Sequence, residues 1–109
     1  MRRVQYYETL EGKQPCRDWL MGLDRVANAR IDSYIQRVAL DGAKKNIKPV
    51  GSGVFEIKID YGPGYRVYYG EVGKVVILLL VGGDKSTQFR DIRQAQEFWR
   101  YYVSKQNIR

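Results

Sequence analysis

Histidine is absent from the 109-residue sequence, and cysteine occurs only once, at Cys16. Histidine is the only side chain whose ordinary pKa lies near neutral pH, so any proton transfer must fall to Lys, Arg, Tyr, Glu or Asp. The usual transition-metal sites also need histidine or several thiols. A single cysteine excludes an intramolecular disulfide and favours a reducing compartment. We therefore expect a cytoplasmic protein that uses neither a metal nor another cofactor.

Long apolar runs are missing as well. The longest covers residues 75–81 and is far too short to cross a bilayer. The amino end carries no basic-then-apolar leader. We therefore expect neither secretion nor membrane association.

Acidic residues are in the minority, with 12 Asp and Glu against 19 Lys and Arg, and the formal charge is +7. The length is typical of one domain and no break in composition divides it, which predicts a single domain over residues 1–109 with a radius of gyration of about 13 Å. A positive charge suits nucleic acid, an acidic protein partner or plain solubility. Composition leaves these three alternatives open.

Three elements are predicted in the amino-terminal part of the chain. Alternating side chains over residues 4–10 are typical of a strand. Pro15 in a first turn and apolar residues at helical spacing predict a short helix over residues 15–21. Asp24 is placed to cap a second helix that ends at residues 41–42. Together the two helices predict a helical hairpin.

A basic loop is predicted next, because residues 42–53 are rich in Gly, Lys, Asn and Pro. It carries three lysines without an opposing acid, and we expect them to contact nucleic acid: Lys44, Lys45 and Lys48.

The remaining sequence predicts three strands and a last helix. Residues 55–59 alternate, residues 61–64 have turn composition, and the apolar run over residues 75–81 predicts a central strand that is covered on both faces. Asp84 or Ser86 caps a helix that reaches about residue 104, with an apolar stripe that includes Phe89 and Trp99. The fold class is therefore α+β, a small antiparallel-rich sheet flanked by helices in the order β-α-α-β-β-β-α.

Tight-turn geometry predicts which side chains of the first hairpin share a face. With a loop over residues 60–64, Lys58 stands opposite Arg66 and Glu56 opposite Tyr68. These four side chains form a polar cluster that we expect at the surface.

A second turn at residues 72–73 would place Ile77 and Leu79 beside this cluster. They would form an apolar floor, which strengthens the interactions of the charges upon it.

Two cations directly opposite each other repel, a cost that is easier to tolerate when an anion such as phosphate binds between them. Lys85 would add a third cation near a helix amino terminus. The alternative is that Lys58 and Arg66 are ordinary solvated residues neutralised by Glu56 and Asp60. The pattern alone leaves both interpretations open.

Two stretches carry a family resemblance. FEIKIDYGPGYRVYY over residues 55–69 and VILLLVGGDKSTQ over residues 76–88 resemble the RelE/ParE toxin superfamily. The closest likeness is to its phage-derived, HigB-like branch of addiction module killer proteins, which the segment around Trp19 also fits. The resemblance spans nearly the whole chain.

The resemblance implies the toxin of a type II toxin–antitoxin pair, with a RelE-like curved sheet. It implies neutralisation by a cognate antitoxin, which we expect to be a helix-turn-helix protein. Toxins of the RelE and HigB kind cut mRNA in the ribosomal A site without a metal, by attack of a ribose 2′-hydroxyl on the adjacent phosphate. Such chemistry needs a base, cations for the developing charge and an acid for the leaving oxygen.

By the same resemblance, Arg66 corresponds to the strand arginine that clamps the scissile phosphate. Lys58 corresponds to an upstream lysine that acts as charge stabiliser or base, and Glu56 is the alternative base. Lys85 falls where relatives place another cation, and Tyr68 is the candidate for stacking or proton donation.

One departure keeps other functions open. Relatives often use a tyrosine or histidine near the last strand or the carboxyl end, whereas residues 85–89 read KSTQF. A ParE-like toxin that poisons DNA gyrase is therefore an alternative to mRNA cleavage. A non-catalytic basic module that binds nucleic acid or protein is a third.

Overall fold

The computed structural model describes residues 2–41 and 45–107. Its elements in chain order are β1 (Arg3–Tyr6), α1 (Pro15–Met21), α2 (Arg25–Ala39), β2 (Ile47–Pro49), β3 (Phe55–Ile59), β4 (Tyr65–Val72), β5 (Val76–Gly83), a 3₁₀ turn (Lys85–Thr87) and α3 (Gln88–Asn107). The radius of gyration is 13.1 Å, as expected from the chain length. Within the described part of the chain, no helix combines the length and the apolar character that crossing a membrane requires.

The five strands form one sheet in the order β1-β5-β4-β3-β2. β1 runs parallel to β5, and the other neighbours are antiparallel. The α+β class with an antiparallel-rich sheet is thus confirmed. The prediction that residues 42–53 form only a loop is wrong, because β2 pairs with β3 at the sheet edge. A three-residue strand that ends in Pro49 leaves too little pattern to recognise.

Both faces of the sheet are covered. β5 is buried along its whole length, as predicted for a central strand. One face packs against α1 and α2, through residues such as Cys16, Ile31 and Ile35. The other packs against α3, through Ala95. We call these the α1–α2 face and the α3 face.

The two tryptophans pack against strand glycines, and both lie in the core regions predicted for them. A Cβ atom on Gly82 would stand 2.0 Å from Cε3 of Trp19, and one on Gly70 would stand 2.3 Å from Cε3 of Trp99. Only glycine leaves room for these rings, so the contacts fix how closely α1 and α3 approach the sheet.

The helix starts follow from local sequence. Pro15 occupies the first turn of α1, and the α1 bounds agree with the prediction. The side chain of Asp24 accepts a 2.7 Å hydrogen bond from the backbone N–H of Ala27, which confirms its capping role. Asp84 likewise accepts from the N–H of Ser86, although the turn that it caps is 3₁₀ before α3 begins.

Two expectations for α3 are wrong. Phe89 is 83% exposed rather than part of the buried stripe. The residues that face the sheet are Ile92, Ala95 and Trp99, and Phe89 lies at the flank of the stripe that they define. The helix also continues to Asn107, beyond the predicted end near residue 104.

The first hairpin has the predicted register, whereas the second does not. Lys58 pairs with Arg66 and Glu56 with Tyr68, as expected. In the second hairpin the loop spans three residues, and a bulge between Tyr68 and Tyr69 shifts the ladder again, so Tyr68 pairs with Val81. A shift of one residue reverses the faces of a strand.

Ile77 and Leu79 consequently belong to the core of the α1–α2 face. The apolar floor predicted for them beside Arg66 and Tyr68 is therefore wrong. On the α3 face, the apolar neighbours of Tyr68 are instead Leu78, Leu80 and Val81.

Candidate active site

Three neighbouring strands bring a polar cluster together on the α3 face, close to the start of α3. Residues two apart on a strand share a face, and paired residues on adjacent strands lie side by side, so the ladder fixes the set. We call this cluster the hairpin site; its members are Lys48, Glu56, Lys58, Arg66 and Tyr68.

Glu56 is the centre of the hairpin site. Only 2% of the residue is exposed, and its carboxylate has three partners. The side-chain amide of Gln88 donates a 2.9 Å hydrogen bond, Nε of Arg66 lies 3.7 Å away and Nζ of Lys48 lies 3.8 Å away. A buried carboxylate needs such compensation, and these contacts hold Glu56 in place.

Arg66 is buried, with 6% exposure, which contradicts the expectation that it lies at the surface. Its Nη1 donates a 2.8 Å hydrogen bond to the carbonyl oxygen of Gly64. Gly64 adopts a φ of +80°, and a Cβ atom there would stand 3.2 Å from Nη1 of Arg66 and 3.7 Å from Cβ of Lys85. The hairpin loop therefore packs against the guanidinium, and the 3₁₀ turn lies beside the loop.

The guanidinium is held in a fixed position but keeps spare hydrogen-bonding capacity. Nε of Arg66 is buried without a hydrogen-bond partner of normal geometry among the described residues. A guanidinium has five N–H donors, and the one hydrogen bond to Gly64 uses one of them. Arg66 is thus oriented by Glu56 and Gly64 with donors left for an anion.

Lys58 lies opposite Arg66 on the same face and is exposed. Its Nζ is 3.7 Å from Oδ1 of Asp60, and the two side chains are 48% and 67% exposed. An exposed ion pair contributes only about 0–1 kcal/mol. Lys58 can therefore leave Asp60 at small cost and turn towards another anion.

Tyr68 is completely buried under α3. Burial raises the pKa of its hydroxyl, and the negative charge of Glu56 raises it further. The fully covered ring offers no face to a stacked base in this conformation. The stacking interaction expected for Tyr68 therefore lacks an accessible surface.

The remaining predicted binding residues lie around the hairpin site at different distances. Lys48 is exposed and joins the site through Glu56, and Lys85 is exposed on the 3₁₀ turn. Lys45 is exposed beside α2, where its carbonyl accepts a hydrogen bond from Tyr34. Lys44 lies outside the described residues.

Asp84 adds a negative charge at the edge of the site. Hydrogen bonds from the hydroxyl and the backbone N–H of Ser86 lower its pKa, and the charge of Arg66 lowers it further. Its side chain is committed to capping the 3₁₀ turn.

Gln88 is the site residue that the sequence interpretation missed. It lies in the family-like stretch over residues 76–88, is the first residue of α3 and follows the predicted cap by four positions. That position places it above the end of the sheet, where a side-chain amide can reach the carboxylate of Glu56.

Comparison with known proteins identifies relatives over most of this architecture. The family described as "Phage derived protein Gp49-like (DUF891)" matches residues 18–98, from α1 into α3. A protein of Haemophilus influenzae (strain ATCC 51907 / DSM 11121 / KW20 / Rd), described as "Uncharacterized protein", is 47% identical over 79 residues, which are 72% of this chain and 79% of the relative. The chain belongs to the phage-derived Gp49-like family, a toxin-like addiction-module family related to the RelE and HigB toxins.

Proposed function

We propose that this protein is the toxin of a type II toxin–antitoxin pair and that it cuts mRNA on the ribosome without a metal. One observation carries the proposal: an exposed Lys58 stands directly opposite an oriented, buried Arg66 on the same face of the sheet. Together they offer two cations of different mobility to one phosphate. Membership of an addiction-module family supports the same function.

In the proposed reaction, the ribose 2′-oxygen attacks the adjacent phosphorus. The P–O bond to the 5′-oxygen of the next nucleotide breaks, leaving a 2′,3′-cyclic phosphate, and the leaving 5′-oxygen takes a proton from water to become a hydroxyl. Arg66 holds the non-bridging oxygens, since its guanidinium is already fixed by Gly64 and Glu56. Lys58 leaves Asp60 and stabilises the charge that develops on the phosphorane, or accepts the proton of the 2′-hydroxyl.

Glu56 fits a positioning role better than the role of base. Its oxygens already face the amide of Gln88, Nε of Arg66 and Nζ of Lys48, and the residue is 2% exposed. A general base must come within hydrogen-bond reach of the proton that it takes. We therefore assign Glu56 to the orientation of Arg66 and leave Lys58 as the candidate base.

The partner implied by the family is an antitoxin. It would cover the hairpin site and the exposed lysines around it with an acidic or helical segment, and it would carry a helix-turn-helix. A small adjacent reading frame of that type would support the pairing.

Controlled expression tests the proposal. Expression alone should arrest growth, and co-expression of the neighbouring frame should restore it. Lys58→Ala should relieve the arrest, because it removes one of the two cations proposed to act on the phosphate. The exposed side chain can be removed with little effect on stability. The matched control is Lys74→Ala, an exposed lysine in the turn between β4 and β5, which should leave the arrest unchanged.

The missing tyrosine or histidine in residues 85–89 motivates the gyrase alternative. Supercoiling by purified gyrase separates the two functions. Cleaved messages with unaffected supercoiling support the proposal. Intact messages at a dose that arrests growth, together with inhibited supercoiling, would replace it with the gyrase function.

A further inference from the structure

A polar cavity lies beside the β3–β4 hairpin, between α2 and the residues around the end of β3. Its volume is about 430 Å³. The residues of its wall that carry the argument are Arg30, Tyr34, Arg37, Asn46, Asp60 and Tyr61, and we call it the α2 groove.

The two arginines of the α2 groove are held by aromatic rings. The guanidinium of Arg30 lies 4.4 Å from the ring centroid of Tyr61, and that of Arg37 lies 4.8 Å from the ring centroid of Tyr34. Neither forms an ion pair within residues 2–41 and 45–107. A cation–π contact orients a guanidinium without using its N–H donors, so both remain available to an anion.

The spacing of the two arginines favours an extended ligand. Arg30 and Arg37 are seven residues apart on α2, which is about 10.5 Å along the helix axis. This separation along the helix favours two anionic groups over one small anion. A chain with regularly spaced negative charges can supply both.

Asp60 connects the α2 groove with the hairpin site. Its Oδ1 lies 3.7 Å from Nζ of Lys58, and its Oδ2 accepts a 3.4 Å hydrogen bond from the amide of Asn46 in the groove wall. Because both oxygens already face these partners, the only carboxylate among the described residues of the groove wall is partly compensated. A strand that passes from Lys58 on the α3 face around the hairpin tip would therefore reach the groove at Asp60.

We propose that the α2 groove binds phosphates of the same single-stranded RNA whose neighbouring linkage lies at Lys58 and Arg66. This inference rests on the proposed function, since it extends the path of its RNA substrate. Arg30 and Arg37 each contact one phosphate, and the groove anchors the strand without taking part in the chemistry.

Binding of a fluorescent twelve-nucleotide oligouridine tests the groove. The oligomer carries 2′-O-methyl groups, so it cannot be cut, and its affinity is measured by anisotropy between 50 and 200 mM salt. Each phosphate contact on a single strand contributes about 0.7 to the slope of log affinity against log salt. Arg30→Gln/Arg37→Gln should therefore make the slope less steep by about 1.4, and the wild type should lose about sevenfold more affinity than this variant over that range.

Two further variants exclude general effects of charge or unfolding. Arg25→Gln/Arg100→Gln removes the same charge from exposed positions outside the groove wall and should keep a slope steeper than that of the groove variant. Arg30→Lys/Arg37→Lys retains both charges and should restore most of the wild-type slope. Thermal unfolding of each variant confirms that the proteins compared are folded.

Three outcomes would overturn the proposal that the groove binds RNA. The first is an equal slope for the groove variant and its charge-matched control, and the second is no binding of the RNA by the wild type at 50 mM salt. The third is tighter binding of a twelve-residue glutamate peptide through the same two arginines. The last result would assign the groove to an acidic protein. Transcript cleavage is measured separately, so cleavage by the groove variant would leave the proposed function standing.

Discussion

The carboxylate of Glu56 lies 3.7 Å from Nε of Arg66, and their side chains are only 2% and 8% exposed. Removing one partner of such a pair leaves the other charge buried without compensation. Glu56→Gln should therefore lower the free energy of unfolding by roughly 3–5 kcal/mol. Urea unfolding followed by circular dichroism measures the loss.

The matched control is Glu97→Gln on the exposed surface of α3, which should change stability by less than about 0.5 kcal/mol. A double-mutant cycle with Arg66→Met isolates the pair, since contacting residues give coupling energies of about 0.5–3 kcal/mol. If the two substitutions prove additive, Glu56 does not hold Arg66 and its positioning role is lost.

The contact between Trp19 and Gly82 predicts a steric defect. A methyl group at Gly82 would stand 2.0 Å from the indole, so Gly82→Ala must push α1 away from the sheet. Overpacking of this kind costs about 1–3 kcal/mol, and thermal unfolding should show it. Gly22→Ala is the control, because its added carbon would lie 3.5 Å from the nearest atom, an ordinary contact. Equal melting temperatures for the two variants would refute the packing.

The lowered pKa of Asp84 predicts a stability that depends on acid. The folded state favours the carboxylate, so the unfolded state binds more protons and stability rises with pH in this range. The contribution is complete above the ordinary pKa of 3.8 and disappears as pH falls through the lowered folded value.

Asp84→Asn keeps an acceptor for the N–H of Ser86 but does not titrate. The variant should be less stable than the wild type at pH 7, because it lacks the charge that the folded state favours, and this difference should shrink as pH falls below about 4. Paired urea titrations from pH 2 to 7 measure the difference. A difference that stays constant over this range contradicts the role of the carboxylate charge.

Cys16 should be inert in the folded protein. The residue has no exposed surface, so a reagent cannot reach it. Burial also raises the pKa of its thiol to about 12, so little of the reactive thiolate forms. Alkylation with iodoacetamide at pH 8 should be slow in buffer and fast in denaturing urea. Equally fast labelling in both would show that the contacts of α1 with the sheet open readily.

The first hairpin is predictable from sequence, because the short loop between Ile59 and Tyr65 leaves one register that keeps the apolar residues on a single face. The second hairpin is not. The bulge beside Tyr68 adds a residue to β5 without any signal in its uniformly apolar sequence, and the neighbours of Tyr68 change with it. Patterns of alternation give no register when every residue is apolar.

Burial of the hairpin site also escapes the sequence. Lys58 and Arg66 have the same place in the alternating pattern, yet only Arg66 is buried. The difference comes from tertiary contacts, namely the return of the loop at Gly64 and the hydrogen bond from Gln88 to Glu56. The first contact depends on the path of the loop and the second joins residues 32 positions apart, and periodicity reports neither.

Cleavage of a ribosome-bound message tests the central claim most directly. Purified protein is added to ribosomes stalled on a defined mRNA, and the cut ends are mapped for an all-ribose message and for one with a single 2′-deoxynucleotide before the scissile phosphate. The wild type and Lys74→Ala should give a 2′,3′-cyclic phosphate at the A-site codon of the first message only, and Lys58→Ala should cut at least about 100-fold more slowly. Cleavage of the deoxy-substituted linkage, or wild-type rates for Lys58→Ala, would contradict the account.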